Sequence, residues 1–154
     1  MKISHLDHLV LTVADIPTTT KFYEKVLGMK AVSFGAGRIA LEFGHQKINL
    51  HQLGNEFEPK AKNVRTGSAD LCFITDIDLS DAMEHVENQG VVIMEGPVKR
   101  TGAQGAITSF YFRDPDGNLI EVSTYSNTYK RLKRDCQRVA ALVQNCSSVF
   151  KCVF

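Results

Sequence analysis

The chain has 154 residues, 44% of them hydrophobic and 23% charged, with a formal net charge of +1. That is enough for one ordinary domain or two small fused modules with a sizeable core. The near-neutral balance argues against electrostatic capture by nucleic acid or an acidic membrane surface.

The opening stretch, MKISHLDHLVLTV, holds one lysine and no long apolar run, so it reads as neither a signal peptide nor a membrane span. Within it, residues 6–13 alternate and are rich in β-branched side chains, which predicts a strand. Asp15 is a helix cap and Pro17 is tolerated in the first turn that follows. Phe22, Tyr23, Val26 and Leu27 form one apolar face, and Gly28 ends the helix in the left-handed conformation. Three short strands follow near 30–34, 38–43 and 47–53, with turns at Gly35 to Gly37 and Gly44 to Gln46.

After the loop GNEFEPKAKNVRTG the pattern restarts. DLCFIT is a strand, and Leu79, Ala82, Met83 and Val86 make a helical face that Gly90 closes. Strands near 92–95, 107–113 and 118–124 complete a second βαβββ unit. His8 to Asp70 and Gly28 to Gly90 are both 62 residues, whereas His51 to Glu121 is 70. Eight extra residues therefore sit in the second unit, most naturally in GPVKRTGAQG, read as a loop. The expected fold is α+β: two tandem βαβββ modules forming a curved mixed sheet around a metal cavity, plus a C-terminal helix. The boundaries are 1–53 for the first module, 54–67 for a connecting loop, 68–125 for the second module and 126–154 for a helical extension.

The repeat also suggests a site. His8 and Asp70 open the first strand of each module at one register, and His51 and Glu121 stand on the last strands. Asn49 shares the face of His51, because strand side chains alternate. Two imidazoles and two carboxylates lining one cavity suit a divalent transition metal such as Zn²⁺, Ni²⁺, Fe²⁺ or Mn²⁺. Lys99 and Arg100, near the cavity mouth, read equally as an anion clamp for substrate or as a solvated loop. His5, His45 and His85 are structural, Cys72 is a small core residue rather than a nucleophile, and DPDGN is a turn.

DHLVLTV, FYEKVLGM, FYFRDPDGNLIEV and the paired modules resemble the vicinal oxygen chelate superfamily, which includes glyoxalase I, extradiol dioxygenases, fosfomycin-resistance enzymes and bleomycin-resistance proteins. The resemblance spans about residues 4–125. More closely, NLHQLGNEFEPKA with GPVKRTGAQG is similar to the glyoxalase-domain-containing group. The resemblance implies metal ligands from the first and fourth strands of each module: His8, His51, Asp70 and Glu121. One departure stands out. Many metal-binding relatives carry His where Asp70 stands and a carboxylate where His51 stands, so the two types are exchanged here. Aspartate is shorter than histidine, which leaves Asp70 either a ligand or a hydrogen-bond partner of a bound water.

The implied activity is a metal-dependent lyase or isomerase of the glyoxalase I type, acting on a 2-oxoaldehyde–thiol adduct with a cosubstrate such as glutathione, and with Glu121 as the base. An Fe²⁺ extradiol dioxygenase using His8, His51 and Glu121 is the alternative enzyme, and a metal-free small-molecule binder is the alternative outside catalysis. The expected partners are a small-molecule substrate and a second copy in a homodimer, with no nucleic acid and no membrane. Four cysteines (Cys72, Cys136, Cys146, Cys152) without C-x-x-C spacing suit a cytoplasmic setting. Beyond residue 125, apolar residues from Tyr129 to Val153 recur at spacings of three and four, predicting a helix over 128–144.

Overall fold

The computed structural model describes residues 1–125; the helix expected over 128–144 lies outside them. The first module runs β1 (His8–Val13), α1 (Ile16–Leu27), β2 (Lys30–Phe34), β3 (Arg38–Phe43) and β4 (Gln46–Gln52). The second runs β5 (Asp70–Ile74), α2 (Leu79–Asn88), β6 (Glu95–Gly102), β7 (Gly105–Arg113) and β8 (Leu119–Tyr125). Each module is a four-stranded mixed sheet, ordered β1-β4-β3-β2 and β5-β8-β7-β6. The first and last strands of each module pair in parallel and the rest antiparallel. No helix among the described residues is long and apolar enough to cross a membrane.

Local chemistry sets the helix ends. The Asp15 carboxylate accepts the Thr18 N–H at 2.8 Å, satisfying one of the orphan donors of the first turn of α1. Gly28, at φ +64°, closes that helix with its N–H on the Glu24 carbonyl. The apolar faces of both helices and of both sheets then meet in one core, in which Tyr23, Leu41, Ile48, Phe110, Phe112 and Ile120 are fully buried. Phe22 packs on Phe112 and Phe43 on Phe73, so aromatic contacts cross from one module to the other.

The segment expected as a loop is not one. GPVKRTGAQG supplies most of β6, the hairpin turn and the start of β7, and 92–95 is not a strand except at its last residue. The expectation was misled by composition, because this hairpin is solvated and carries few apolar side chains. Its backbone groups are nevertheless satisfied by the ladder from Val98–Ser109 to Gly102–Gly105. β6 is an edge strand, and its Pro97 sits where the register shifts between Glu95 and Val98, as an edge or bulge allows.

The turn Asp114–Asn118 does more than reverse the chain. Asp114, buried at 5% exposure, accepts from the Tyr23 hydroxyl of α1 at 3.0 Å and from the Asn118 side-chain amide at 2.7 Å. Asp116 accepts the Ala14 N–H at 3.0 Å. Two carboxylates of the second module thus bolt onto the first. The other Asp116 oxygen is buried with no hydrogen-bond partner. Burial, and then the nearby Asp114 charge, raise the Asp116 carboxyl above its ordinary value although the Ala14 N–H opposes them. A raised folded pKa means that stability falls as pH climbs from the ordinary carboxylate value through the raised one. Asp116→Asn is therefore expected to stabilise the protein at neutral pH by on the order of 1 kcal/mol and to make no difference near about pH 3. Thermal melts at the two pH values check this, and a less stable variant at neutral pH would contradict it.

Candidate metal and substrate site

Strand alternation divides each sheet cleanly. In β1 and β4, Leu11, Val13, Ile48 and Leu50 face the core. His8, Val10 and Thr12, with Lys47, Asn49 and His51, face the other way, onto the open side of the first sheet. In β5 and β8 the open side carries Asp70, Cys72 and Ile74 with Leu119, Glu121 and Ser123.

The ladder registers correct the matching of positions between modules. His8 pairs with Lys47, and Asp70 pairs with Leu119. Glu121 lies two residues beyond Leu119, so its counterpart two residues beyond Lys47 is Asn49. His51 corresponds instead to Ser123. Spacing alone misplaced this match by putting all the extra residues of the second module in one loop, whereas they are divided between the approach to β6, β6 itself and the 114–118 turn.

Glu121 is the most elaborately held polar side chain of the second sheet. The Ser123 hydroxyl donates to its Oε1 at 3.2 Å, and Ser109 lies 2.8 Å from the Ser123 oxygen. Arg100 Nε donates to the Tyr111 hydroxyl at 3.1 Å, leaving the tyrosine proton for Glu121. Burial pushes the Glu121 carboxyl up, but hydrogen bonds from Ser109, Tyr111, Ser123 and Cys72 outweigh it and hold it below its usual value. The group is therefore ionised across the neutral range. Asp70 stands one diagonal step away, since Glu121 pairs with Cys72 two residues further along β5.

Cys72 is exposed on this open face and not a core residue. Its neighbours Leu71 and Phe73 take the core side. Although the residue is exposed, its sulfur is partly buried against Ser123, and that burial with the Glu121 and Asp70 charges raises its thiol, so it is not an activated thiolate. Arg100 is committed to Tyr111 and, at 2.9 Å, to Glu95. Lys99 pairs with Thr108 and so faces the opposite side of the sheet.

On the first sheet, His8 is exposed and its Nδ1 lies 2.6 Å from Asp7. His51 is buried at 9% exposure. The two share a face but stand four residues apart along paired strands, or about 13 Å. Asn49 is buried at 8% exposure and its Oδ1 has no hydrogen-bond partner. Among the described residues of one chain, no three His, Cys, Asp or Glu side chains come together as a metal site. Asp70 and Glu121 are diagonal neighbours on the second sheet, His8 and Asn49 stand in the same relation on the first, and His51 lies one step beyond Asn49. Alternation along the last strand puts Ser123 beside Glu121 from sequence alone, but sequence reasoning passed over Ser109 and Tyr111, which only the β7–β8 register brings to that face. It also passed over Arg38, Phe34 and Phe57 beside His51.

Residues 5–122 match the Glyoxalase/Bleomycin resistance protein/Dioxygenase superfamily, and the chain belongs to that family. It is 60% identical over 125 residues to virulence protein STM3117 of Salmonella typhimurium, covering 81% of this chain and 87% of that one. It is 55% identical over 127 residues to the glyoxalase domain-containing protein RDO1 of Mycosarcoma maydis, covering 82% and 72%. A solved structure from the mobile metagenome of V. Pseudocholerae is 97% identical with a TM-score of 0.81, covering 82% of this chain and 98% of that one. More distantly, the metallothiol transferase FosB of Staphylococcus epidermidis is 27% identical over 124 residues, covering 80% and 84%.

Proposed function

We propose that the protein is a metal-dependent lyase or isomerase of the glyoxalase I type, acting on a 2-oxoaldehyde–thiol adduct. The observation that carries this reading is Glu121: a half-buried carboxylate, kept ionised by four side chains, one step from a second carboxylate. The donor types on the two open faces fit a divalent metal such as Zn²⁺, Ni²⁺, Fe²⁺ or Mn²⁺, but one chain does not bring them together. Two copies can. β1 and β5 are edge strands, each paired on one side only, and Val10 and Ile74 leave apolar surface exposed on their open faces. In a homodimer, β1 of one copy set against β5 of the other brings His8 to Asp70 and Glu121. His51, too far along the strand to share an ion easily with His8, then faces substrate beside Asn49.

The bound ion would supply Lewis-acid polarisation of the substrate's vicinal oxygens. Glu121 removes the proton from the carbon bearing the sulfur and returns it to the adjacent carbonyl carbon, while the hydroxyl proton passes from the first oxygen to the second, so the adduct becomes a 2-hydroxythioester with no oxidant consumed. The Arg100–Tyr111 and Ser109–Ser123 contacts aim that carboxylate and keep it charged. The thiol cosubstrate, glutathione or a relative, leaves with the product.

The test is an anaerobic assay with several divalent metals and the adducts of small 2-oxoaldehydes with glutathione. Isomerisation without oxygen is the expected result. Turnover of a catechol that stops when oxygen is removed, with no turnover of any adduct, would replace the lyase with an extradiol dioxygenase. Full absence of bound metal in protein purified without chelator would leave a small-molecule-binding protein.

A further inference from the structure

The open face of the first sheet carries a cation, Arg38, that no carboxylate among the described residues answers. Arg38 opens β3 directly across from Phe34, and its guanidinium carbon lies 4.6 Å from the centroid of the Phe34 ring and 4.6 Å from that of Phe57. Phe57 comes from the loop between the modules, so the clamp closes only in the folded chain. Gly35, at φ +55°, leaves room for it: a Cβ there would lie 3.1 Å from the Arg38 Nη2.

Ring faces satisfy the flat sides of a guanidinium and leave its N–H groups, which lie in the plane, without acceptors. Here the Nε is buried and has no hydrogen-bond partner, and Arg38 belongs to none of the ion pairs among the described residues. Lys47 Nζ stands 4.1 Å from the centroid of the same Phe34 ring, but Glu42 lies directly across from Lys47 on this face, so Arg38 is the cation left over. Arg100 differs, because its charge is already met by Glu95. The register continues the Arg38 side of β3 towards Ala40, opposite Asn49, whose buried Oδ1 also has no partner. A charged donor and a lone acceptor thus lie on one face, next to His51.

We propose that this face is an anion-binding subsite in which the clamped Arg38 guanidinium takes a carboxylate of the ligand and Asn49 accepts from a donor nearby on the same molecule. The ligand is therefore an acid. A planar guanidinium with unpartnered N–H groups matches a carboxylate through two parallel hydrogen bonds, a geometry an ammonium cannot reproduce. The subsite stands on this geometry, and rests on the lyase reading only for the ligand's class, a thiol carrying carboxylates.

Calorimetric titration of the full-length protein with glutathione and with its diester tests the proposal. Glutathione is expected to bind at least about tenfold more tightly than the diester. Arg38→Met, which keeps the stem between the rings, should erase that preference by weakening the acid and leaving the ester unchanged. Phe57→Leu retains the charge but opens the clamp, and should fall between the two; it decides the matter if Arg38→Met fails to fold. Equal binding of acid and ester, glutathione binding untouched by either substitution, or no binding of either probe at millimolar concentration would overturn the subsite. Adduct turnover separates this from the lyase reading. An Arg38→Met protein that isomerises with unchanged KM removes the subsite and keeps the lyase. Binding that prefers the acid and needs Arg38, without turnover of any adduct, does the reverse.

Discussion

Replacing Asp114 with alanine is expected to cost about 3–5 kcal/mol, a large share of the stability of a domain this size. The carboxylate is buried and accepts from the Tyr23 hydroxyl, the Asn118 amide, and the Asp116 and Asn118 backbone N–H groups. Its loss would leave these donors buried without acceptors, and the turn would no longer be tied to α1. Tyr23→Phe keeps the ring in the core and removes one bond, so about 1 kcal/mol is expected there. Urea unfolding of both variants measures the difference. A loss below about 1 kcal/mol for Asp114→Ala would mean that this carboxylate does not hold the turn to α1.

The second large effect is on chemistry. Glu121→Gln keeps the size of the side chain and its place on β8 but removes the carboxylate proposed as metal ligand and base. Turnover should fall by at least about a hundredfold, or ~2.7 kcal/mol in barrier, and bound metal should fall with it. Asp70→Asn tests the neighbouring carboxylate, and a loss well over tenfold, at least ~1.4 kcal/mol, is expected if it ligates or directly supports the ion. A Glu121→Gln protein that keeps its metal but not its turnover would restrict that residue to proton transfer. Unchanged turnover would place the reaction elsewhere in the molecule.

Much of this architecture was legible from residue order. α1 announced itself through the Asp15 cap, the spacing of Phe22, Tyr23, Val26 and Leu27, and the glycine that ends it. The meander from β2 to β4 followed from alternation punctuated by Gly35, Gly37 and Gly44. β6 was not legible, because a solvated edge strand needs no apolar alternation and EGPVKRTG has the composition of a loop. The pairing of His51 with Glu121 failed for a related reason: strand register is fixed by hydrogen bonding across the sheet, which sequence spacing records only when insertions are confined to one place. The Arg38 clamp was beyond reach, since Phe57 meets Arg38 only after the inter-module loop folds back over the sheet. Lys99 and Arg100 looked alike in sequence, yet alternation sends them to opposite faces.

The central claim, a metal held between His8 of one copy and the carboxylates of another, is tested most directly by elemental analysis of mixed chains. Protein purified without chelator or affinity tag should carry one divalent transition metal per chain, and His8→Ala and Glu121→Gln should each carry almost none. Unfolding the two variants together and refolding them as a mixture pairs an intact His8 with an intact Glu121 in one site of every mixed dimer. About a quarter of the metal should then return under random pairing. A mixture that stays as empty as its parents, or parents that keep their full metal content, would contradict the account.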